Sequence, residues 1–306
     1  MPGARARAVI YSPELFLETL IAGIMIGVLY ALMALGITFI YSIVKMINWA
    51  MGEFYMIGSY LQFILVVHLL GPELWWLAVP LSALGVFLLG ILIEPVLIKP
   101  MFVKALERRD DYATVVTIAL LLLLRNLATA LSGPYQRTPG SVLPTVMLGP
   151  LPQDGARVAA FILALVAIVL FQFIIKKTWL GLALRATSES RVGVQTSGVD
   201  VLRLDQIAFG IGVALAGLAG ALLAPVFLVF PTDGVVTTVK GFEIIVIGGL
   251  GSIPGALVGG LLLGIVESLG AAFISSPFQN AYGFALVLLV LIFRPTGLFG
   301  ERIRQA

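Results

Sequence analysis

The run Thr19–Val44, TLIAGIMIGVLYALMALGITFIYSIV, contains no charged residue and decides the class of this protein. A helix needs roughly 20 predominantly apolar residues to cross the hydrocarbon core of a bilayer, and this run is long enough. Its glycines Gly23, Gly27 and Gly36 are small residues of the kind that let membrane helices approach one another closely. The run therefore predicts a first transmembrane helix that packs against others.

The composition extends this prediction to all 306 residues. Apolar residues make up 60%, charged residues only 11%, and the mean hydropathy is +1.08. Soluble domains carry about 25% charged residues, and a soluble chain this apolar would expose larger apolar patches than monomers tolerate. We expect an all-α, polytopic integral membrane protein. It should form one domain over residues 1–306, a bundle of about eight transmembrane helices with broken or re-entrant segments.

Further apolar segments follow the first run, at 48–70, 74–93, 112–131, 158–175, 206–230, 241–270 and 278–293. The glycine-rich sequence GGLGSIPG interrupts one of them at 248–255. Irregular backbone is tolerated at membrane depth where protein buries it or where it lines a wet cavity. Transporters often place such breaks in two internal repeats. The weak similarity of GEFYMIG at 52–58 to GFEIIVIG at 241–248 fits a repeat, and it equally fits chance similarity between apolar segments.

The basic residues predict the topology. The loops 99–109 and 176–203 carry the densest positive charge, so both should be cytoplasmic. Placing Lys45 inside as well puts the N-terminus outside. The tail, which begins at Arg294, also has cytoplasmic character, but eight simple spans would leave it outside. A double crossing of 241–272 by two short pieces would resolve this conflict.

The sequence contains no phosphate-binding loop of the form G-x-x-x-x-G-K-[ST]. If ATP drives this protein, another chain must bind and hydrolyse it with magnesium. Cysteine is absent and histidine occurs once, which excludes thiolate metal sites and disfavours a histidine-based one. We therefore expect no catalytic residue, no metal site and no cofactor on this chain.

Carboxylates within the apolar segments are the next candidates for function. Charged side chains inside a membrane are costly, so they usually face a pathway or a partner. Glu53 and Glu267 are predicted to lie deep, while Glu94 and Glu243 are placed nearer the interface. For the deep pair, a role in the pathway and a structural hydrogen bond are equally open. Arg125 is a candidate partner for either one, or it extends its charge to the interface.

The longest polar stretch between spans is KKTWLGLALRATSESRVGVQTSGVDVLRL, residues 176–204. Thr187 or Ser188 could cap a short helix there, and Gly198 suits the left-handed residue that ends one. Such a helix, with cations at Arg185 and Arg191, would dock against a cytoplasmic partner. On composition alone, a basic loop anchored at the lipid headgroups is the default interpretation, and periodicity does not separate the two.

Several blocks of the chain resemble one family. They are GVLYALMALG at 27–36, NWAMGEFYMIGSY at 48–60, GLALRAT at 181–187, GGLGSIPGA at 248–256 and RPTGLFG at 294–300. Together they resemble the LivH-type permeases of bacterial branched-chain amino acid ABC importers. The blocks occur in order over most of the chain.

This resemblance implies a multi-pass permease of the bacterial cytoplasmic membrane. It would pair with a LivM-like permease, bind two cytoplasmic ATPase subunits that hold the ATP and magnesium, and receive its amino acid from a periplasmic binding protein. Nucleic acid is not an expected partner. The ATPase-coupling residues would be Arg185, Ala186, Arg191 and Gly198. The polar candidates for the substrate pathway are Asn48, Glu53, Ser59 and Glu267.

Two departures from the family pattern keep alternatives open. Trp49-Ala50-Met51-Gly52 stands where the family commonly has Phe-Ala-His-Gly, and Val192-Gly193-Val194 stands where a Glu-Ala-Ala-like triplet would precede the coupling glycine. Urea, short amides or other amino acids remain candidate substrates. Outside the family, the rivals are an ion-coupled secondary transporter that uses Glu53 and Glu267, and a passive channel.

Overall fold

A computed structural model describes residues 13–104, 107–139, 143–148 and 151–300. Over these residues the chain is mainly helical. The helices are α1 Pro13–Val44, α2 Met51–Ile64, α3 Trp75–Leu97, α4 Pro100–Val103, α5 Arg109–Ser132, α6 Gly155–Lys177, α7 Trp179–Glu189, α8 Arg191–Thr196, α9 Val201–Leu223, α10 Asp233–Gly248, α11 Ile253–Phe273 and α12 Gln279–Phe293. A short antiparallel hairpin of β1 Val146–Leu148 and β2 Leu151–Gln153 lies between α5 and α6.

The described residues hold eight helical stretches long and apolar enough to cross a membrane. They contain α1, α2 with its π-helical continuation to Leu70, α3, α5, α6, α9, α11 and α12. The predicted all-α bundle of about eight spans is therefore confirmed. The exception among the longer helices is α10. Its 16 residues reach about 24 Å, which is less than the roughly 30 Å of a hydrocarbon core.

The two basic loops lie on one face, as the positive-inside rule predicts. Arg191 of the second loop lies over the ring of Phe102 in the first, 4.3 Å from its centroid. We call this the cytoplasmic face. The C-terminal segment 294–300 is bonded to the end of α10, because Leu298 and Phe299 donate backbone N–H groups at 2.9 Å to carbonyls at 247 and 248.

The glycine break 249–252 separates α10 from α11 beside this face. Gly251 and Ser252 line one pocket together with Ile43, at the end of α1, and Arg185, on α7. The chain from α9 therefore returns to the cytoplasmic face through α10, and α11 leaves again. The expected crossing of 241–272 by two short pieces is therefore wrong: α11 is a full-length span, whereas α10 runs from within the bundle to the cytoplasmic face. This path, with the bonds to the carbonyls at 247 and 248, places segment 294–300 on the cytoplasmic side.

Two helices begin inside the bundle. Because α10 is too short to span and ends at the cytoplasmic face, its first turn lies at membrane depth. The first turn of α2 abuts it: a Cβ on Gly52 would lie 1.8 Å from the carbonyl oxygen of Gly234. The Gly52 N–H also donates to Thr238 Oγ1 at 3.0 Å. Glycine is required at 52 because any side chain would separate the two helix starts.

The packing repeats in inverted orientation. The helix α1 packs against α11 as α9 packs against α3, while α1 crosses α9 and α2 crosses α10. The members of each equivalent pair run in opposite directions through the membrane, which is typical of transporters built from inverted repeats. The repeat therefore relates α2 to α10. The similarity in sequence aligned Gly52 of α2 with Gly241 of α10. In the structure Gly52 instead contacts Gly234, at the start of α10, so the register of the repeat differs from that alignment.

Candidate translocation site and coupling segment

A buried ion pair joins four helices at membrane depth. Lys240 of α10 places its ammonium group 2.5 Å from Oε1 of Glu267 in α11. Tyr30 of α1 and Gln279 of α12 donate to the other carboxylate oxygen at 3.2 and 3.4 Å. The ammonium group also lies 5.3 Å from the centroid of the Tyr30 ring, within cation–π range. Since Glu267 is 1% exposed, its carboxylate is a buried junction.

A second carboxylate lies beside this pair. Glu243 is 5% exposed, and its Oε2 atom has no hydrogen-bond partner within the described parts of the chain. Gly283 makes room for both acids, because a Cβ there would lie 2.5 Å from Glu243 Oε2 and 3.2 Å from Glu267 Oε1. The two carboxylates therefore lie against the same position of α12, and Lys240 pairs with Glu267. The sequence placed Glu243 near the interface, and the structure instead buries it between α10 and α12.

Lys240 is the polar residue that sequence reasoning missed. It is the only Lys or Arg between Arg203 and Arg294, and it stands three residues before Glu243. A lone cation near intramembrane acids could have revealed it, since charges in a membrane pair with one another. The suggestion that Arg125 pairs with Glu267 is wrong, because Lys240 occupies that place.

Glu53 has the opposite environment. It is fully buried, and neither carboxylate oxygen has a hydrogen-bond partner among the residues the structure describes. Its carboxylate lies against the start of α10, where a Cβ on Gly234 would lie 2.4 Å from Glu53 Cδ. Arg125 and Asp233 are charged groups close enough to act on it electrostatically. The N-terminal turns of α2 and α10 also favour negative charge here.

The other two predicted pathway residues are also buried. Asn48, 1% exposed, accepts at Oδ1 from the backbone N–H two residues on, while its Nδ2 has no partner in the described ranges. Ser59, 3% exposed, lies against Gly220 of α9. The structure brings Asn48 and Glu53 together at the start of α2. Ser59 lies further along that helix, and Glu267 belongs to the Lys240 pair.

We call residues 176–204 the coupling segment. It contains the two short helices α7 and α8, which lie between the end of α6 and the start of α9. Thr178 caps α7 and Ser190 caps α8, each accepting at 3.1 Å from the N–H three residues on. The predicted caps Thr187 and Ser188 are wrong. Both lie inside α7 and donate to carbonyls of their own helix.

The four predicted coupling residues differ in exposure. Arg185 and Gly198 are exposed, and Ala186 is half-buried. Gly198 ends α8 as predicted, with a φ of +81° that glycine adopts without strain. Arg191 instead faces the body of the protein.

Arg191 forms the second buried ion pair. Its Nη1 donates to Asp205 Oδ1 at 3.1 Å and to the carbonyl of Ile43 at 3.3 Å, while Nη2 contacts Asp205 Oδ2. The guanidinium group also stacks on Phe102. One side chain therefore ties α8 to the end of α1, the start of α9 and α4. Arg191 fixes the coupling segment to the spans.

A groove of about 360 Å³ runs between α7 and α8. Trp179 and Leu182 line it and are 68% and 56% exposed. A groove of this kind is typical of a protein docking surface.

Helices that begin inside the membrane, an inverted repeat and a cytoplasmic coupling segment together define a polytopic transport permease. The chain belongs to the family described as the branched-chain amino acid transport system permease component, whose profile matches residues 19–293. The resemblance derived from the sequence is confirmed. The family consists of transporter subunits, so the expectation of a non-enzyme is confirmed as well.

Individual relatives cover nearly the whole chain. The high-affinity permease protein LivH of Escherichia coli K12 is 33% identical, covering 94% of this chain and 96% of its own length. BraD of Pseudomonas aeruginosa is 33% identical, covering 94% and 98%. A more distant similarity, 27% identity over 88% of the chain, extends to LivM of Salmonella typhimurium. No solved structure matches.

Proposed function

We propose that this chain is the permease subunit of an ATP-driven ABC importer that moves branched-chain or related hydrophobic amino acids inward across the bacterial cytoplasmic membrane. The observation that carries the proposal is the coupling segment, whose apolar groove lies at the cytoplasmic face of a chain without a phosphate-binding loop. Its relatives LivH and BraD are named as permease proteins of high-affinity branched-chain amino acid transport systems.

The importer needs other chains. A LivM-like permease would complete the channel, since this chain is related to both LivH and LivM. Two cytoplasmic ATPase subunits would bind the coupling segments and supply the ATP and magnesium chemistry. A periplasmic binding protein would deliver the amino acid to the outer face. Arg191 is paired with Asp205 and faces the body of the protein. The coupling residues best placed to contact an ATPase are therefore Arg185, Ala186 and Gly198.

Alternating access follows from the connections of the coupling segment. Closure of the ATPases would displace α8, and Arg191 would pass this displacement to α1 and α9, which cross at Gly36 and Gly212. The buried starts of α2 and α10 lie beside that crossing. Their N-terminal turns suit the carboxylate of a zwitterionic amino acid. Asn48, Ser59 and Glu53 are our candidates for its polar contacts.

The charge environment limits which carboxylate an ion-coupled secondary transporter could use. Such a transporter needs a carboxylate free to take up a proton or sodium ion. Glu267 is engaged by Lys240, Tyr30 and Gln279. The carboxylates left for that role, each with an oxygen that has no partner among the described residues, are Glu53, Glu94 and Glu243. A passive channel is the remaining rival. Within the importer class, urea, short amides and other amino acids are the alternative substrates.

Reconstitution of the full complex in proteoliposomes tests the proposal. Uptake of labelled leucine should require ATP on the side of the membrane where the ATPases are bound, and it should require the binding protein. It should persist when ionophores dissipate the ion gradients. Uptake that continues without the ATPases and collapses with the gradient would establish a secondary transporter instead. Flux without ATP or binding protein would establish a channel. Titrating the binding protein with amino acids, urea and amides identifies the substrate.

A further inference from the structure

A buried carboxylate beside the Arg191 ion pair has no role in the function described so far. Glu94, near the end of α3, is 1% exposed, and neither of its oxygens has a hydrogen-bond partner in the part of the chain that the structure describes. The sequence placed Glu94 at the membrane interface. It does lie at the cytoplasmic end of its span, but protein surrounds it instead of headgroups. A buried acid without a partner is costly.

Glu94 and Asp205 lie on facing turns of two packed helices. Gln206 of α9 donates its side-chain amide to the carbonyl of Ile91 in α3 at 2.9 Å. Asp205 precedes Gln206, and Glu94 follows Ile91 by one helical turn, so the hydrogen bond holds both acids at the same junction. Lys99 is the other charged group that acts on Glu94 electrostatically besides Asp205.

Arg191 binds Asp205 directly and is connected to the end of α3, which carries Glu94, through α4. Its guanidinium group stacks on Phe102 of α4, the short helix that directly follows α3. The Arg191 side chain keeps 28% exposure, whereas that of Asp205 has none. A planar cation on an aromatic face can pivot there without losing the stacking contact. The carboxylates belong to rigid spans, and the arginine belongs to the short coupling segment.

We propose that Arg191 exchanges its carboxylate partner between Asp205 and Glu94 during the transport cycle. The coupling segment then has two positions: in one, Arg191 pairs with Asp205 of α9, and in the other it pairs with Glu94 of α3. The structure shows the first position. In each position Arg191 pairs with one acid and not with the other, which keeps the two arrangements close in free energy. A small displacement by an ATPase is then enough to select between them. This inference rests on the proposed importer function.

The variant Glu94→Gln tests the exchange in the reconstituted complex. Glutamine matches glutamate in size, and Glu94 makes no hydrogen bond here. A purely structural role therefore predicts unchanged uptake and equal or higher thermal stability. The exchange predicts that leucine uptake falls about tenfold, the scale of a coupling free energy between sites, while ATP hydrolysis continues. Glu107→Gln, which removes an exposed acid from the loop before α5, is the matched control and should import normally.

Distances between two spin labels distinguish the two positions of the coupling segment directly. The chain has no cysteine, so cysteines placed at the exposed residues Thr196 of α8 and Tyr135 of the outer loop can be labelled selectively. The otherwise unaltered chain should give two distances, one without nucleotide and one trapped with ATP and vanadate. Glu94→Gln should retain only the first and Asp205→Asn only the second.

The outcomes separate the two hypotheses. If the unaltered complex imports leucine and Glu94→Gln imports it equally with both distances present, the exchange is overturned and the importer stands. If the unaltered complex imports nothing when ATP and binding protein are supplied, the proposed function is overturned together with the exchange that rests on it.

Discussion

Two ion pairs with buried carboxylates, each with a second, unpartnered carboxylate beside it, differ in where they lie and in what they join: Lys240–Glu267 with Glu243, and Arg191–Asp205 with Glu94. The first lies at membrane depth and joins long helices. The second lies at the cytoplasmic face and joins a short surface segment to the spans. Removing one partner of a buried pair leaves an uncompensated charge. The deep pair should therefore govern stability, and the cytoplasmic pair should govern coupling.

The largest effect is expected at the end of the coupling segment. Gly198 has a φ of +81°, which proline cannot adopt because its ring fixes φ near −65°. Gly198→Pro should abolish ATP-driven uptake while membrane insertion and the stability of the deep pair remain intact. Uptake in proteoliposomes and the amount of folded permease measure the two effects. Gly198→Asn, which tolerates the left-handed region, is the control and should retain uptake. Normal uptake by the proline variant would refute the coupling assignment.

Lys240→Met should destabilise the permease strongly. It leaves Glu267, which is 1% exposed, without its cation, and breaking a buried pair in this way costs about 3–5 kcal/mol. The double variant Lys240→Met with Glu267→Gln should recover most of that loss, because no charge remains unpaired. Unfolding midpoints in detergent measure both variants. A double variant no more stable than the single one would show that the pair is not the source of the effect.

Arg191→Lys should cost less stability than loss of the deep pair. Lysine keeps the charge but loses the bidentate geometry toward Asp205 and the stacking on Phe102. We expect a loss of about 1.5–3 kcal/mol, the scale of one hydrogen bond to a charged group, together with reduced uptake per ATP hydrolysed. Arg185→Lys, at an exposed position of the same segment, should leave the unfolding midpoint unchanged. Equal effects at the two positions would contradict the inward role of Arg191.

The smallest effect should come from Tyr30→Phe. The change removes a hydroxyl that donates to Glu267 at 3.2 Å and keeps the ring against the Lys240 ammonium group. The expected loss is about 1 kcal/mol, the net value of one hydrogen bond. The same unfolding assay applies. A loss as large as that of Lys240→Met would mean that the hydroxyl, and not the lysine, holds Glu267 in place.

The fold was predictable in its broad outline because membrane spans obey simple rules. Long charge-free runs such as Thr19–Val44 must form helices, since no water can satisfy the backbone at that depth. The basic loops fixed the cytoplasmic face. The conflict over the tail at Arg294 pointed correctly to an irregular path near 248–255, although α10 proved to be a partial crossing and α11 a full one. The caps of the coupling segment were less predictable, because Thr178, Thr187, Ser188 and Ser190 are all good capping residues by type.

The sequence by itself determined that this chain is a helical membrane protein, that its two basic loops share a face, and which family it belongs to. Only the tertiary structure decided how its charges are arranged. The sequence around a carboxylate in an apolar run does not show whether that carboxylate is paired, like Glu267, or unpaired, like Glu53 and Glu94. Its partner comes from a helix remote in sequence, 27 residues away for Lys240 and Glu267. Pairing inside a membrane depends on which helix faces meet, and that is settled by packing.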